Sequence, residues 1–169
     1  MDQPTRTLRK RILHTPSSPT ARLRPDLATI DIPAVATVSI TSEDPAHPIE
    51  NIFKNEATPG MSRWIAAEDG AQDIILDFDA PQAVRQIALI VEEPDVHRTQ
   101  EILISTSSDG GKTYQDVIRQ EYTFSPPGTT WEQETWTVSS SNVRCLRIHI
   151  TPDKSGNPCR ATLSSLVLS

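Results

Sequence analysis

The segment QDIILDFDA (72–80), followed closely by VRQIALIVEE (84–93), decides the fold. In the first, Ile74, Leu76 and Phe78 alternate with Asp73, Asp77 and Asp79. That period of two sends one face of a strand into a core and the other into water. The second is apolar on both faces through its middle, as a central strand is. Two strands of different burial, adjacent in sequence, predict a layered β protein.

Working outward, the same reading applies to most of the chain. AVATVSIT (34–41) is β-branched with no helical period, and SRWIAAE (62–68) is a short strand. Between them HPIENIFKN (47–55) has a proline near its start and Ile49, Ile52 and Phe53 at helical spacing, so it predicts one helical turn. TQEILISTS (99–107) and KTYQDVIRQEYTF (112–124) form a long hairpin, SPPGTT (125–130) is a loop, and WEQETWTVSS (131–140) is a strand. NVRCLRIHIT (142–151) alternates, with Leu146, Ile148 and Ile150 inward and Arg147 and His149 outward. PDKSGNPCR (152–160) is a loop and ATLSSLVLS (161–169) the closing strand. About eight mainly antiparallel strands with one short helical turn predict an all-β jelly-roll sandwich.

Composition agrees. Fourteen prolines and 5% aromatics in 169 residues suit a loop-rich β domain. The longest unbroken apolar run, Ile87–Val91, is far short of the ~20 residues of a membrane-spanning helix. Residues 1–30 carry six basic and two acidic groups, net +4, against a net −10 for the rest. The expected organisation is a basic arm, 1–33, before a jelly-roll domain, 34–169. The arm has no apolar run of the signal-peptide kind, and two cysteines make no disulfide framework, so a cytoplasmic location is expected. A single Cys145–Cys159 bridge is left open. The acidic body argues against nucleic acid, and nothing points to a membrane or fixes an oligomeric state.

SSDGGKTYQ (107–115) spells Ser-x-Asp-x-Gly-x-Thr-aromatic, the pattern of the Asp-box of sialidases. Asp109 can accept backbone N–H bonds, Gly111 can supply positive φ, and Tyr114 can cover the turn. The motif is read as a structural hairpin. One copy in so short a chain cannot make a propeller of at least four blades. No G-x-S-x-G elbow, Walker loop or dinucleotide fingerprint occurs. The four histidines show no metal-ligand spacing. The acidic clusters Glu43-Asp44 and Glu92-Glu93-Pro94-Asp95 leave a hydrolase as a distant third reading.

Binding signals lie in two loop regions. EEPDVHRTQE (92–101) offers His97, Arg98 and Gln100, and QEYTFSPPGTTW (120–131) offers Tyr122, Phe124 and Trp131. Aromatic faces stack on sugars, and Arg or Gln forks bind hydroxyls and carboxylates. The two aromatics Tyr122 and Phe124 serve equally well as cover for the sandwich edge.

SEDPAHPIENIFKN, SRWIAAEDGAQDIILDFDAPQAVRQIALI and STSSDGGKTYQDV together resemble the discoidin-type (coagulation factor 5/8 C-type) domains of the galactose-binding-like class. A narrower likeness is to the non-catalytic N-terminal domain of the single-strand-break repair scaffold. The resemblance implies a jelly roll over residues 34–169, with Glu50, Asn51 and Trp64 structural, as a helical cap and a core aromatic. It also implies a calcium near an Asp-Gly before the tryptophan. Here that place reads Lys54-Asn55-Glu56, where an ammonium would compete with a cation and carboxylates are few, so no metal or other cofactor is expected. The leading expectation is a non-catalytic module, not an enzyme, that binds a carbohydrate or other polar small ligand through loops at one end. The alternative is an intracellular protein-interaction module.

Overall fold

The structure, a computed structural model, describes residues 27–54 and 58–169. Most of the basic arm therefore lies outside the described residues. A one-turn helix α1 (Ile32–Val35), opened by Pro33, leads into β1 (Ala36–Ile40). A 3-10 turn follows at Ile49–Phe53, then β2 (Trp64–Asp69), β3 (Gln72–Glu92), β4 (Arg98–Ser107), β5 (Gln115–Phe124), β6 (Trp131–Thr151), β7 (Arg160–Leu163) and β8 (Ser165–Leu168). The expected jelly-roll sandwich forms, with the expected helical turn at Ile49–Phe53 and a further one, α1, that was not expected. Domain packing begins ahead of Ala34: Ile32 is buried, and the Ile30 N–H donates to the Leu168 carbonyl.

Two strands serve both layers. The first part of β3 pairs with the last part of β6, from Gln72↔Ile150 to Asp77↔Cys145, flanked by β1 on one side and β4–β5 on the other. The later part of β3 pairs with the first part of β6, from Gln86↔Thr137 to Glu92↔Trp131, with β8 on its other edge. The register is interrupted between Asp77 and Gln86, where the ladder turns over from one layer to the other. The two segments that read as separate strands, 72–80 and 84–93, are thus one strand with a corner. The same holds for 131–140 and 142–151. In contrast, ATLSSLVLS divides at Ser164. β7 joins β2 in a small second sheet, and β8 joins β3.

The core follows the period-two reading. Ile74, Leu76, Phe78, Leu146, Ile148 and Ile150 are all buried from the first layer. Ile87, Leu89, Val91 and Leu166 meet them from the second. The 3-10 turn closes one side with Ile49 and Ile52, and Trp64 is wholly buried. The turn is capped by Glu43, whose Oε2 accepts the Ile49 N–H at 2.9 Å, and not by Glu50, which is exposed. Asn51 is buried and works across the chain: its Nδ2 donates to the Arg63 carbonyl and its Oδ1 accepts from Lys54 Nζ.

The hairpin at 107–114 is built as its motif implied. Asp109 Oδ1 accepts the Ser107 hydroxyl (2.7 Å) and the Lys112 and Thr113 N–H groups, while Oδ2 accepts the Thr113 hydroxyl at 2.6 Å. These bonds, led by the Thr113 hydroxyl, hold the Asp109 carboxyl far below the usual carboxylate range, so it stays ionised in mild acid. Gly111 has φ +84°, and a Cβ there would sit 3.1 Å from the Tyr114 hydroxyl. Gly111→Ala is therefore expected to destabilise the fold by about 1–2 kcal/mol, the cost of left-handed backbone for an L-residue. Urea unfolding reads this directly, and an unchanged midpoint would contradict it.

The two cysteines are free and cannot pair in this fold. Cys145 is buried beside Asp77 at the hairpin end, whereas Cys159 lies in the β6–β7 loop at the other end.

Candidate functional site

Five connections gather at the end opposite the 107–114 hairpin. They are the segments 41–48 and 58–63 and the loops 93–97, 125–130 and 152–159. Both layers end there, because β3 returns to it: Glu93, just after β3, meets Arg98 at the start of β4. Loops on such an edge are free to carry function while the sandwich fixes their bases.

The six side chains nominated from the sequence do not form one site. Arg98 is buried. Its Nη2 pairs with Glu93 Oε2, and its Nη1 donates to the Arg160 carbonyl, to the Pro152 carbonyl and to Cys159 Sγ. Gln100 is wholly buried, with its amide donating to the Thr162 carbonyl and accepting the Thr162 N–H. Both therefore clamp β4 to β7. Tyr122 and Phe124 are interior aromatics with ring centroids 6.5 Å apart. The reading of them as cover for the sandwich edge is the one that the structure takes. Burial, and then the nearby Glu134 and Glu132 charges, push the Tyr122 hydroxyl well above its ordinary pKa. His97 is exposed and Trp131 half-buried, with no hydrogen bond or ring contact between them among the described residues.

A cleft of about 130 Å³ opens instead between the 93–97 loop and the β2–β7 sheet. Arg63, Arg160, Asp95, Val96 and Ile65 line it above a floor that includes Arg98 and Glu93. Arg63 Nη1 donates to the Glu92 carbonyl, and Arg160 Nη1 pairs with Asp44 at 2.9 Å. The other guanidinium nitrogens of each arginine have no hydrogen bond among the described residues. The Asp95 carboxylate has no partner among the described residues, and Val96 is the exposed large hydrophobic residue beside it. Below them Arg98 Nε is buried without an acceptor among the described residues. The cleft thus presents two forked donors, one acceptor and an apolar wall.

None of Arg63, Arg160 and Asp95 was nominated as a ligand-binding residue. Arg63 and Arg160 lie far apart in the chain and at the two ends of the antiparallel β2–β7 ladder, Arg63 just before Trp64↔Leu163 and Arg160 opposite Asp69, yet both line the cleft. That pairing leaves no local signal in either segment. Asp95 was visible only as part of an acidic run.

The acidic clusters are mostly anchors. Glu93 also accepts the Asp95 and Val96 N–H groups, and the Glu92 carboxylate holds the Gly60 N–H. Asp44 accepts the Ala46 N–H, which with Arg160 holds its carboxyl below the ordinary range. No group of three or more potential metal ligands occurs among the described residues. Lys54, at the place where the resemblance implies calcium, directs its ammonium onto Asn51, and Asn55 and Glu56 lie outside the described residues.

No family model matches the chain, and no curated protein matches it. Solved structures do. The family 32 carbohydrate-binding module (CBM32) of AlyQ, solved with 4,5-unsaturated mannuronic acid, is 20% identical with a TM-score of 0.59, covering 85% of this chain and 98% of that one. The family 32 module of Clostridium perfringens NanJ, solved with galactose, is 16% identical with a TM-score of 0.58, covering 83% and 96%. A pectin-binding carbohydrate-binding module is 18% identical with a TM-score of 0.55, covering 80% and 90%. The described residues therefore have the jelly-roll β-sandwich fold of these carbohydrate-binding modules.

Proposed function

We propose that this chain is a non-catalytic carbohydrate-recognition module whose site is the cleft of Arg63, Arg160 and Asp95. The observation that carries the reading is that Arg63, Arg160 and Asp95, whose carboxylate has no partner among the described residues, line one cleft at the loop end. Vicinal sugar hydroxyls both accept and donate, so a fork and a carboxylate together match them. Val96 and Ile65 supply the apolar wall for ring C–H groups. Two solved structures of the same fold hold sugars, which supports the class. Within the cleft Glu93 is tied to Arg98 and two backbone amides, which leaves Asp95 as the lining carboxylate without a partner among the described residues.

The cleft has no aromatic platform, so binding to a single sugar is expected in the millimolar range. Calorimetric titration with galactose, and separately with galacturonate, tests the site. Arg63→Ala and Asp95→Ala are expected to weaken binding about 10-fold to 100-fold, the effect of losing one charge-assisted hydrogen bond. Heat signals unchanged by both substitutions would remove the assignment, and absence of binding to either sugar would remove this choice of ligand class.

A further inference from the structure

A second cleft, of about 310 Å³, lies at the opposite end of the sandwich. It runs between the 107–114 hairpin and the corner of β6 at Ser139–Val143. We propose that it is a second binding site, for a neutral polyhydroxylated ligand, a saccharide residue being the class that fits.

Three observations carry this. First, apart from Val143 the lining carries hydroxyl and amide groups and no charged side chain, with Ser108, Gln115, Ser140, Ser141 and Asn142 among its free polar groups. None of these makes a side-chain hydrogen bond among the described residues, in contrast to Ser107 and Thr113 nearby, which are held by Asp109. A concave surface whose donors and acceptors are unused and unpaired with any charge matches a ligand of hydroxyls. It gives a carboxylate or phosphate no counter-charge. Second, the backbone turns these groups to one place. Asn142 has φ 57°, in the left-handed region, next to the interrupted register at the corner. Third, the Tyr114 ring stands in the wall, backed by the Arg147 guanidinium at 4.4 Å from its centroid. The Asp-box-like hairpin therefore shapes one bank of a cleft as well as closing a turn.

Hydroxyl contacts replace contacts with water, so each adds little and the site is weak for one sugar unit. Its position matters more. With the loop-end cleft at the other pole, one domain would hold two glycan chains, or two places on one chain, and gain avidity from linkage.

Amide-resolved NMR titration of the full chain with galactose, and in parallel with galacturonate, tests the proposal. Galactose is expected to shift amides of 113–115 and 139–142 with their own saturation curve, separate from those of 93–97 and 158–162. Galacturonate is expected to bind this end no more tightly than galactose. Asn142→Gly suits the left-handed backbone, and Ser141→Ala removes an exposed hydroxyl with no partner, so both are expected to fold. Together they should weaken binding at this end about 10-fold and leave the loop end unchanged. Shifts confined to the loop end would overturn the second site while leaving the proposed function standing. Shifts confined to the hairpin end would do the reverse. Hairpin-end shifts that persist in the double variant, a clear preference there for galacturonate, or no shifts anywhere, would each overturn the second site.

Discussion

Arg98→Ala is expected to lower the unfolding free energy by about 3–5 kcal/mol, the usual effect of removing one partner from a buried ion pair. The reason is local and specific. Arg98 is almost wholly enclosed, and its guanidinium ties the 93–97 loop, through Glu93, to the carbonyls of Pro152 and Arg160. Alanine leaves the Glu93 carboxylate buried with only the Asp95 and Val96 amides for company. It also strands two carbonyls. Because Glu93 keeps those amide contacts, Glu93→Gln is expected to cost less. The two changes combined should cost less than their sum, since each removes the same ion pair. Denaturant unfolding of the single and double variants measures this. An Arg98→Ala midpoint within error of the parent would show that the pair contributes nothing.

Trp64→Ala is expected to cost about 3–5 kcal/mol by leaving a cavity where the largest wholly buried side chain stood. Trp64→Phe discriminates this packing account from a polar one. The Trp64 indole N–H is buried without an acceptor. Phenylalanine keeps an aromatic ring and discards that unpaired donor, whose burial costs about 1–3 kcal/mol. The phenylalanine variant should therefore retain most of the stability. If it proved as damaging as alanine, a hidden hydrogen bond would have to replace the packing argument.

The fold was legible because its signals are local. The period of two in 72–80 and 142–151 placed Ile74, Leu76, Ile148 and Ile150 inward, and all four are buried. The Asp109–Gly111 turn needed only its own residues, and it forms as read. What failed was the judgement of loop side chains. Arg98 and Gln100 look like ligand forks in sequence, because an arginine that grips carbonyls reads the same as one that grips a sugar. Strand β4 begins at Arg98, so these side chains alternate into the molecule, and β7 takes their hydrogen bonds. Tyr122 and Phe124 lie on the inward face of β5 for the same geometric reason. The cleft that replaces them joins Arg63, Asp95 and Arg160 from three separate segments, a meeting of distant chain segments that no local pattern announces. The two cysteines illustrate the same limit: close in sequence, they are carried to opposite ends by β6.

A crystal structure of the full chain soaked with galactose tests the central claim most directly. The account predicts an ordered sugar in the cleft between the 93–97 loop and the β2–β7 sheet, with ring hydroxyls on the Arg63 and Arg160 guanidinium groups and on the Asp95 carboxylate. An empty loop-end cleft in crystals where that end is open to solvent, at a sugar concentration that saturates binding in solution, would contradict it.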